Sequence, residues 1–233
     1  MVSSTLMPDD FYVGRWDQAN IPIKLRGMRL ANYEPVVTSE GKSHRTGVMA
    51  SQAAQVFVDN FTDHYVSAKR ASVGSFPNNR DNIGKGMMFF GRNGTRKSTL
   101  AANVLTEIQY LSPSYRIYYI RFSDWKRALT DTFTKEETER TGIARRMLKL
   151  AELSHALVLD DIGQEHRTAS GFTESSLHEL LRVRYEAARP TIVTTNIDPD
   201  MMRGVYGDSF ESFRHDAFET YPLLGPDTRK TRK

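Results

Sequence analysis

From residue 83 onward, the apolar positions of the chain fall into short runs that are separated by longer helical stretches. The runs contain five to eight residues, and the apolar residues between them recur at spacings of three and four. Such runs predict buried strands, and such spacings predict amphipathic helices. Strands that alternate with helices form a mainly parallel sheet with helices on both faces. The predicted strands lie at residues 86–90, 115–122, 155–160 and 190–196, with a weaker one at 217–223.

The first third of the chain has a different pattern. Prolines and glycines interrupt residues 1–45, which we expect to be irregular. Apolar residues then recur at helical spacing from residue 46 to 70 and predict one amphipathic helix. We therefore predict an N-terminal arm with a packing helix at 1–80 and a core domain at 81–233. The apolar stripe of the predicted helix consists of Met49, Ala53, Val56, Phe57, Phe61 and Tyr65.

Composition excludes several classes of protein. The sequence of 233 residues is 39% hydrophobic and 26% charged, as in an ordinary globular protein. No apolar run approaches the ~20 residues of a membrane span, and the N-terminus lacks the basic and apolar regions of a secretory signal. The absence of cysteine excludes disulfides and thiolate metal sites. We therefore expect a cytoplasmic protein without a membrane partner.

The sequence GRNGTRKS, at residues 91–98, has the pattern of a phosphate-binding loop, since it follows a predicted strand and opens a helix. In such a loop, main-chain N–H groups and the helix N-terminus face the phosphates. Lys97 would reach the β- and γ-phosphates, and the Ser98 hydroxyl would bind Mg²⁺. A glycine-containing turn that precedes a helix by chance is the alternative. The predicted nucleotide-binding residues are Gly91, Asn93, Gly94, Thr95, Arg96, Lys97, Ser98 and Thr99.

Arg96 departs from this pattern, in which the residue before the lysine is glycine. Glycine adopts backbone angles that other residues avoid, and it lets a phosphate approach closely. The arginine either strains the loop, points outward, or adds a positive charge to the phosphate site. These alternatives leave nucleotide binding as the prediction and efficient turnover as an open question.

Polar residues end two of the other predicted strands. Asp160 and Asp161 follow the apolar run LVL, and Asn196 follows TIVTT. We predict that Asp160 holds Mg²⁺ and that Asp161 orients or deprotonates the attacking water, with Glu165 as a less well-placed rival. Asn196 would hydrogen-bond the water or the γ-phosphate. The alternatives are that the acids cap a helix or face solvent, and that Asn196 forms a turn.

The order of these segments, with a final GPDTRK, resembles the DnaC/IstB branch of AAA+ proteins, which includes bacterial and phage helicase loaders and transposition helper ATPases. Ala19-Asn20-Ile21-Pro22 is similar to the short segment before the ATPase core of that branch, and the resemblance covers about residues 17–230. It implies a three-layer α/β P-loop domain with a mainly parallel five-stranded sheet in the order 5-1-4-3-2. It also implies ATP and Mg²⁺ as ligands, and active sites completed between subunits.

The resemblance implies an arginine finger late in the domain, which a neighbouring subunit supplies. We predict Arg214 for this role, with Arg203 as the alternative; either is otherwise a surface arginine paired with Asp208 or Glu211. From the chain length we expect a short N-terminal extension, without a separate helicase-binding domain, and no large helical lid. The basic tail is either solvated or a phosphate-binding arm: Arg229, Lys230, Arg232 and Lys233.

In related loaders and initiators, the insertion between the second and third strands contacts single-stranded DNA. Here it contains two predicted helical stretches, at about residues 124–133 and 134–153. The net charge of +4 is compatible with nucleic-acid binding without requiring it. A solvated basic face, with Trp125 in the core, is the alternative to stacking on a base. The predicted DNA-binding residues are Trp125, Lys126, Arg127, Arg145, Arg146 and Lys149.

The sequence therefore predicts a self-associating ATPase that loads a hexameric replicative helicase onto single-stranded DNA in a bacterial or phage setting. Two alternatives remain at this point. One is a transposition helper ATPase similar to IstB that assembles on duplex DNA. The other is a nucleotide-binding adaptor in which Arg96 has abolished hydrolysis.

Overall fold

A single parallel sheet forms the centre of the molecule. The computed structural model describes residues 9–71, 83–133, 138–163 and 171–229. Within these ranges, five strands pair in the order β2-β3-β4-β1-β5. This is the predicted order, read from the opposite edge, and it confirms the predicted α/β fold. The strands are β1 (Gly86–Phe90), β2 (Ile117–Arg121), β3 (Ala156–Ile162), β4 (Thr191–Thr195) and β5 (Phe218–Pro222).

Helices cover both faces of this sheet. They are α1 (Asp9–Gln18), α2 (Arg45–Ala71), α3 (Lys97–Leu111), α4 (Phe122–Asp131), α5 (Glu139–Leu153), α6 (Phe172–Glu186), α7 (Pro199–Tyr206) and α8 (Asp208–Ala217). Met87 and Phe89 of β1 pack with α1, α2 and α3, whereas Met88 packs with the cluster that α4 to α8 complete. Because both faces are covered, the strands appear in the sequence as uninterrupted apolar runs. In the described ranges, no helix has the length and apolar content that a membrane span requires.

The N-terminal arm contains α1, which the sequence pattern did not predict. Tyr12 and Trp16 lie one turn apart and are 3% and 6% exposed. The Tyr12 ring lies 4.4 Å from the ring of Tyr110 on α3. A helix of 10 residues has few repeats in which to show a period, and tertiary contacts such as these stabilise it. The prediction that residues 1–45 are irregular is wrong for this stretch.

After α1, the arm follows the edge of β2. The main-chain N–H of Tyr119 donates to the Ala19 carbonyl at 2.8 Å, and the Asn20 side-chain amide donates to the Tyr119 carbonyl at 2.9 Å. These bonds cover part of an otherwise open sheet edge. The arm shares an apolar cluster with the core domain. The predicted division between residues 80 and 81 lies outside the described residues.

Helix α2 buries a stripe that differs from the predicted one. Met49 and Val56 are 52% and 59% exposed, so their assignment to the buried face is wrong. Ala53 and Phe57 are partly buried, and the side chain of Tyr65 lies outside the described part. The helix turns alanines inward, because small side chains let its backbone approach α3 closely. Among the described side chains of α2, the buried apolar ones are Ala50, Ala54, Val58 and Phe61.

Several elements have bounds other than those predicted, and β3 and α5 are two of them. Strand β3 continues to Ile162, with a register shift between Leu159 and Ile162 that indicates a bulge. Helix α5 begins at Glu139, after a capping box at Thr138, whereas the sequence predicted a helical stretch from residue 134. Residues 134–137 lie outside the described part of the chain.

Arg184 on α6 is fully buried and joins the end of α5 to the sheet. Its guanidinium donates to the carbonyls of Ala151 and Ser154, at 2.7 and 3.0 Å, and to the carbonyl of Pro190 before β4, at 3.0 Å. The last carbonyls of a helix have no intrahelical partner, so the arginine supplies the missing donors. Burial lowers the pKa of Arg184 to about 9, and the group is still charged at pH 7.

Replacing Arg184 by methionine is expected to lower the free energy of unfolding by about 3 kcal/mol or more, because several buried carbonyls lose their donor. Urea denaturation followed by circular dichroism measures the change. Arg182→Met is the matched control on the same helix. Arg182 is exposed and pairs with Glu186, so its loss should cost under about 0.5 kcal/mol. Equal costs for the two substitutions would contradict the role assigned to Arg184.

Candidate active site

The carboxyl ends of β1, β3 and β4 open into a cleft of about 1090 Å³. A parallel sheet brings the segments after its strands to one edge, which is where ligands bind in open α/β folds. Asp160, Asp161 and Asn196 line the cleft, as predicted residues from two different strands. All the predicted nucleotide-binding residues except Gly91 line it too: Asn93, Gly94, Thr95, Arg96, Lys97, Ser98 and Thr99.

The two glycines of the loop at residues 91–98 are required by the close approach of another segment. Gly94 has a φ of +75°, and a Cβ there would lie 1.7 Å from Oδ1 of Asp227. A Cβ at Gly91 would lie 2.1 Å from the Leu223 carbonyl oxygen. The Thr228 hydroxyl donates to the Gly94 carbonyl at 2.8 Å. The C-terminal segment 223–229 therefore packs directly on the loop.

Lys97 begins α3 and lines the cleft. Nζ donates to the Gly91 and Arg92 carbonyls, at 2.7 and 2.9 Å, and to Asn196 Oδ1 at 2.7 Å. The Asn196 amide in turn donates to Asp161 Oδ1 at 3.0 Å. Burial lowers the pKa of Lys97 to about 8, although the nearby aspartates oppose the shift. Three residues predicted separately from the sequence thus form one hydrogen-bonded chain.

Asp160 is buried and accepts hydrogen bonds from two hydroxyls on the neighbouring strands. Tyr119 of β2 donates to Oδ2 at 2.6 Å, and Thr194 of β4 donates to Oδ1 at 2.6 Å. The Tyr119 hydroxyl also interacts with Ser98, so it connects the two predicted metal ligands. Sequence reasoning missed Tyr119 and Thr194, because only the strand order places them beside Asp160.

The oxygen donors at this position fit Mg²⁺, which prefers carboxylate, hydroxyl, water and phosphate oxygens. In the part of the chain that the structure describes, no three acidic or histidine side chains cluster as a metal site. Mg²⁺ commonly takes only one or two protein ligands and completes its shell with water and substrate phosphates. Ser98 and Asp160 are consistent with that arrangement.

Asp161 lies in the bulge of β3 with a φ of +66°, and the turn directs its carboxylate toward the cleft. Its main-chain N–H donates to the Thr194 hydroxyl at 2.8 Å, which holds the turn in place. Burial, followed by the charge of Asp160, raises the pKa of Asp161, while Lys97 and Arg229 oppose the shift. A carboxylate with a raised pKa accepts a proton more readily than an ordinary one.

Comparisons with known proteins agree on the architecture. No family model and no curated protein matches the sequence. Among solved structures, the DnaC helicase loader matches with a TM-score of 0.64 at 21% identity, over 87% of this chain and 100% of that chain. DnaI matches with a TM-score of 0.57 at 16% identity, over 81% of this chain and 91% of that chain. The replication initiator DnaA, bound to AMPPCP and single-stranded DNA, gives 0.60 at 15%, over 89% of this chain and 52% of that chain.

This chain shares its fold with these three proteins. At these identities the likeness concerns the fold alone, and the chemistry of the site depends on its own residues. The relevant ones are those that the sheet brings to the cleft.

The structure distinguishes the three alternatives that the sequence left open for Arg96. Its backbone is left-handed, with φ +65° and ψ 25°, so an arginine occupies the conformation that favours glycine. Its side chain extends away from Lys97 to the N-terminal arm, where Nη1 donates to the Glu34 carbonyl at 2.9 Å. The arginine therefore strains the loop locally, and its charge is directed at the arm.

The prediction that Arg214 projects toward a neighbouring subunit is wrong. Arg214 is 5% exposed, pairs with Glu211 at 2.6 Å and donates to the Thr220 hydroxyl at 3.2 Å. It lies on the face of α8 that packs against β5, so the guanidinium binds α8 and the sheet. Arg203, the alternative, is exposed and forms an ion pair with Asp208 at 2.5 Å.

The predicted DNA-binding residues occupy different environments in the structure. Trp125 is 3% exposed and stacks on Phe122 in the core, so its ring has no free face and the prediction of base stacking is wrong. Lys126 lines the cleft, and Arg127 pairs with Asp124. The remaining three are exposed on α5: Arg145, Arg146 and Lys149.

Arg229 lies in the cleft, although the sequence placed it in a basic tail. It is near enough to Lys97 and Asp161 to influence the pKa of both. The packing of Thr228 on Gly94 brings it there, and no local pattern indicates that contact. Residues 230–233 of the tail and the rival acid Glu165 lie outside the described residues.

The pKa of Lys97 gives a pH dependence that is specific to this site. Because the folded pKa is about 8 and the ordinary value is 10.5, the unfolded chain binds more protons between these values. The free energy of unfolding of the nucleotide-free protein is therefore expected to rise across this window. Denaturation at constant ionic strength measures the profile. Lys97→Met should lack this part of the rise, and parallel profiles for the two proteins would argue against the assignment.

Proposed function

We propose that this protein is an AAA+ domain that binds ATP with Mg²⁺ and hydrolyses the nucleotide. The observation that carries the proposal is the hydrogen-bonded chain of Lys97, Asn196 and Asp161 behind a glycine-containing loop. A buried ammonium held only by neutral acceptors is suited to an anionic ligand. DnaA, which shares the fold, is bound to AMPPCP, an analogue of ATP, and this supports a nucleotide as the ligand.

Binding exchanges neutral partners of Lys97 for charged ones. The carbonyls of Gly91 and Arg92 occupy its ammonium, and phosphate oxygens are stronger acceptors for the same donors. Loop N–H groups and the N-terminus of α3 add further donors. Ser98 and Asp160 would hold Mg²⁺, which neutralises phosphate charge when it is bound.

The proposed hydrolysis uses Asp161 as the group that accepts a proton from the attacking water. Its carboxylate faces the cleft with a raised pKa, and Asn196 fixes its orientation through the bond to Oδ1. Arg229, in the same cleft, would offset the charge that develops on the transferred phosphoryl group. Arg229 would supply this cation from the same chain. Its position in a basic tail of the sequence did not indicate such a role.

Self-association stays a proposal for this AAA+ domain. Of the two arginines considered as fingers, Arg203 is the exposed one, with 69% of its side chain accessible. An exposed ion pair such as that between Arg203 and Asp208 contributes little to stability. A nucleotide phosphate bound to a neighbouring subunit would therefore displace Asp208 from Arg203. The dependence of turnover on protein concentration tests this step.

The nucleotide site is tested by two variants and a control. Lys97→Ala is expected to abolish binding of a fluorescent ATP analogue, whereas Asp161→Asn should bind it and lose hydrolysis by a factor of about 10² or more. Lys42→Ala, at an exposed lysine of the arm, should behave as wild type. Binding by Lys97→Ala at wild-type affinity would rule out the site. Binding by all proteins without phosphate release from the wild type would leave a nucleotide-binding adaptor.

We infer further that the domain loads a hexameric replicative helicase onto single-stranded DNA. Its fold is shared with DnaC and DnaI over most of their chains, and the DnaC structure is that of a helicase loader. Arg145, Arg146 and Lys149 form an exposed basic face on α5. Such a face suits a phosphate backbone, which a protein binds without regard to base sequence. DnaA, with the same fold, is bound to single-stranded DNA.

A loading assay tests this function directly. The chain is mixed with a hexameric replicative helicase, circular single-stranded DNA and ATP, and the helicase retained on DNA is measured. Replacing Arg145, Arg146 and Lys149 by alanine should lower the retention of helicase. It should also make the slope of log K for DNA binding against log salt concentration shallower by about two. The control is the exposed triple substitution Lys42, Arg116 and Arg182 to alanine. Retention that requires duplex DNA and no helicase would favour a transposition helper.

A further inference from the structure

Arg96 is bound to a residue that lies outside the nucleotide cleft. Its Nη1 donates to the main-chain carbonyl of Glu34 at 2.9 Å and lies 3.2 Å from the Glu34 carboxylate. Arg96 lines the cleft, whereas Glu34 does not. The pair therefore connects the loop at residues 91–98 to a residue of the arm that does not line the cleft.

The backbone of Arg96 has a conformation that is unfavourable for an arginine. A residue with a Cβ is disfavoured at φ +65°, where glycine is not. Arg96 has this disfavoured angle, and its side chain makes two contacts to the arm. Its side chain is 25% exposed and that of Glu34 is 80% exposed, so the ion pair lies at the surface. The loop thus keeps its turn through a tertiary contact where glycine would keep it without one.

The arm also reaches the loop by a second route. Val36 lies against Gly225, where an added Cβ would be 2.8 Å from Val36 Cγ1. The Leu224 N–H donates to the Thr46 hydroxyl at 3.0 Å. A few residues later, Thr228 bonds to Gly94 of the loop. The arm holds the loop at Arg96, the C-terminal segment 223–229 holds it at Gly94, and these two segments contact each other.

We propose that Arg96 is a positioning residue of the phosphate-binding loop, that Glu34 is its anchor, and that the pair couples nucleotide binding to the N-terminal arm. The inference rests on the proposed nucleotide binding. Coupling is reciprocal, so the factor by which the anchor favours the nucleotide is the factor by which the nucleotide orders the arm. Arg96 stands where the loop pattern has glycine, and through it the binding of nucleotide in the cleft affects the arm.

A double-mutant cycle tests the coupling. ATP affinity is measured by calorimetry for the wild type, Glu34→Ala, Arg96→Ala and the double variant. Glu34→Ala should weaken binding roughly two- to fivefold, as expected for a partly exposed ion pair. In the Arg96→Ala background, Glu34→Ala should have no further effect. Arg96→Lys, which keeps a donor that reaches Glu34, should retain part of the coupling.

The direction of the Glu34 effect distinguishes an anchor from a simple charge. Removing an acid near the cleft should strengthen binding of an anionic nucleotide, and Glu40→Ala on the same arm reports that general effect. Weaker binding by Glu34→Ala, with unchanged or stronger binding by Glu40→Ala, supports the anchor. Stronger binding by Glu34→Ala would overturn it, because Glu34 would then be competing with phosphate for Arg96.

Hydrogen exchange gives a readout that a purely structural contact would not change. ATP should slow amide exchange at Tyr33, Glu34, Val36 and Val37 in the wild type and fail to do so in Arg96→Ala, although both remain folded by thermal melting. ATP binding by the wild type without coupling in the cycle would overturn this inference and leave the nucleotide site standing. A wild type that binds no ATP would overturn both.

Discussion

The hydrogen bond from Lys97 Nζ to Asn196 Oδ1, 2.7 Å long, joins the loop after β1 to the end of β4. Asn196 extends the connection to Asp161 on β3. The chain of contacts is possible because β4 lies between β1 and β3 in the sheet. With another strand order, the asparagine could not bridge the lysine and the acid. The cleft and its electrostatics therefore depend on one amide placed at the central strand end.

Contacts from distant parts of the chain set the shape of the loop in front of this lysine. Gly94 must be glycine because Asp227 approaches its α-carbon, and Arg96 takes a left-handed turn while its side chain reaches Glu34. The arm and the C-terminal segment also meet at Val36 and Gly225. A loop held on two sides in this way is organised before a ligand arrives, which reduces the ordering cost of binding.

Three arginines show how differently one residue type is used in this protein. Arg184 is buried and satisfies the carbonyls at the end of α5, and Arg214 is buried against Glu211 and Thr220. Arg229 lies in the cleft beside Lys97 and Asp161. The guanidinium group has five donors in a fixed plane and suits each task. Position along the chain did not distinguish them, since the partners come from other elements.

The sequence by itself determined the α/β class, the parallel strands, the loop with Lys97 and the acids of β3, because short-range spacing and strand-to-loop order are written in consecutive residues. The tertiary structure decided what the side chains face. Trp125 is buried in the core, Arg214 pairs with Glu211, and Met49 is exposed to solvent. Helix α1 is stabilised because Tyr12 and Trp16 pack in the core. It also put Tyr119, Thr194 and Arg229 at the site. Burial and partnership depend on segments that are far apart in the chain, and a local pattern holds no record of them.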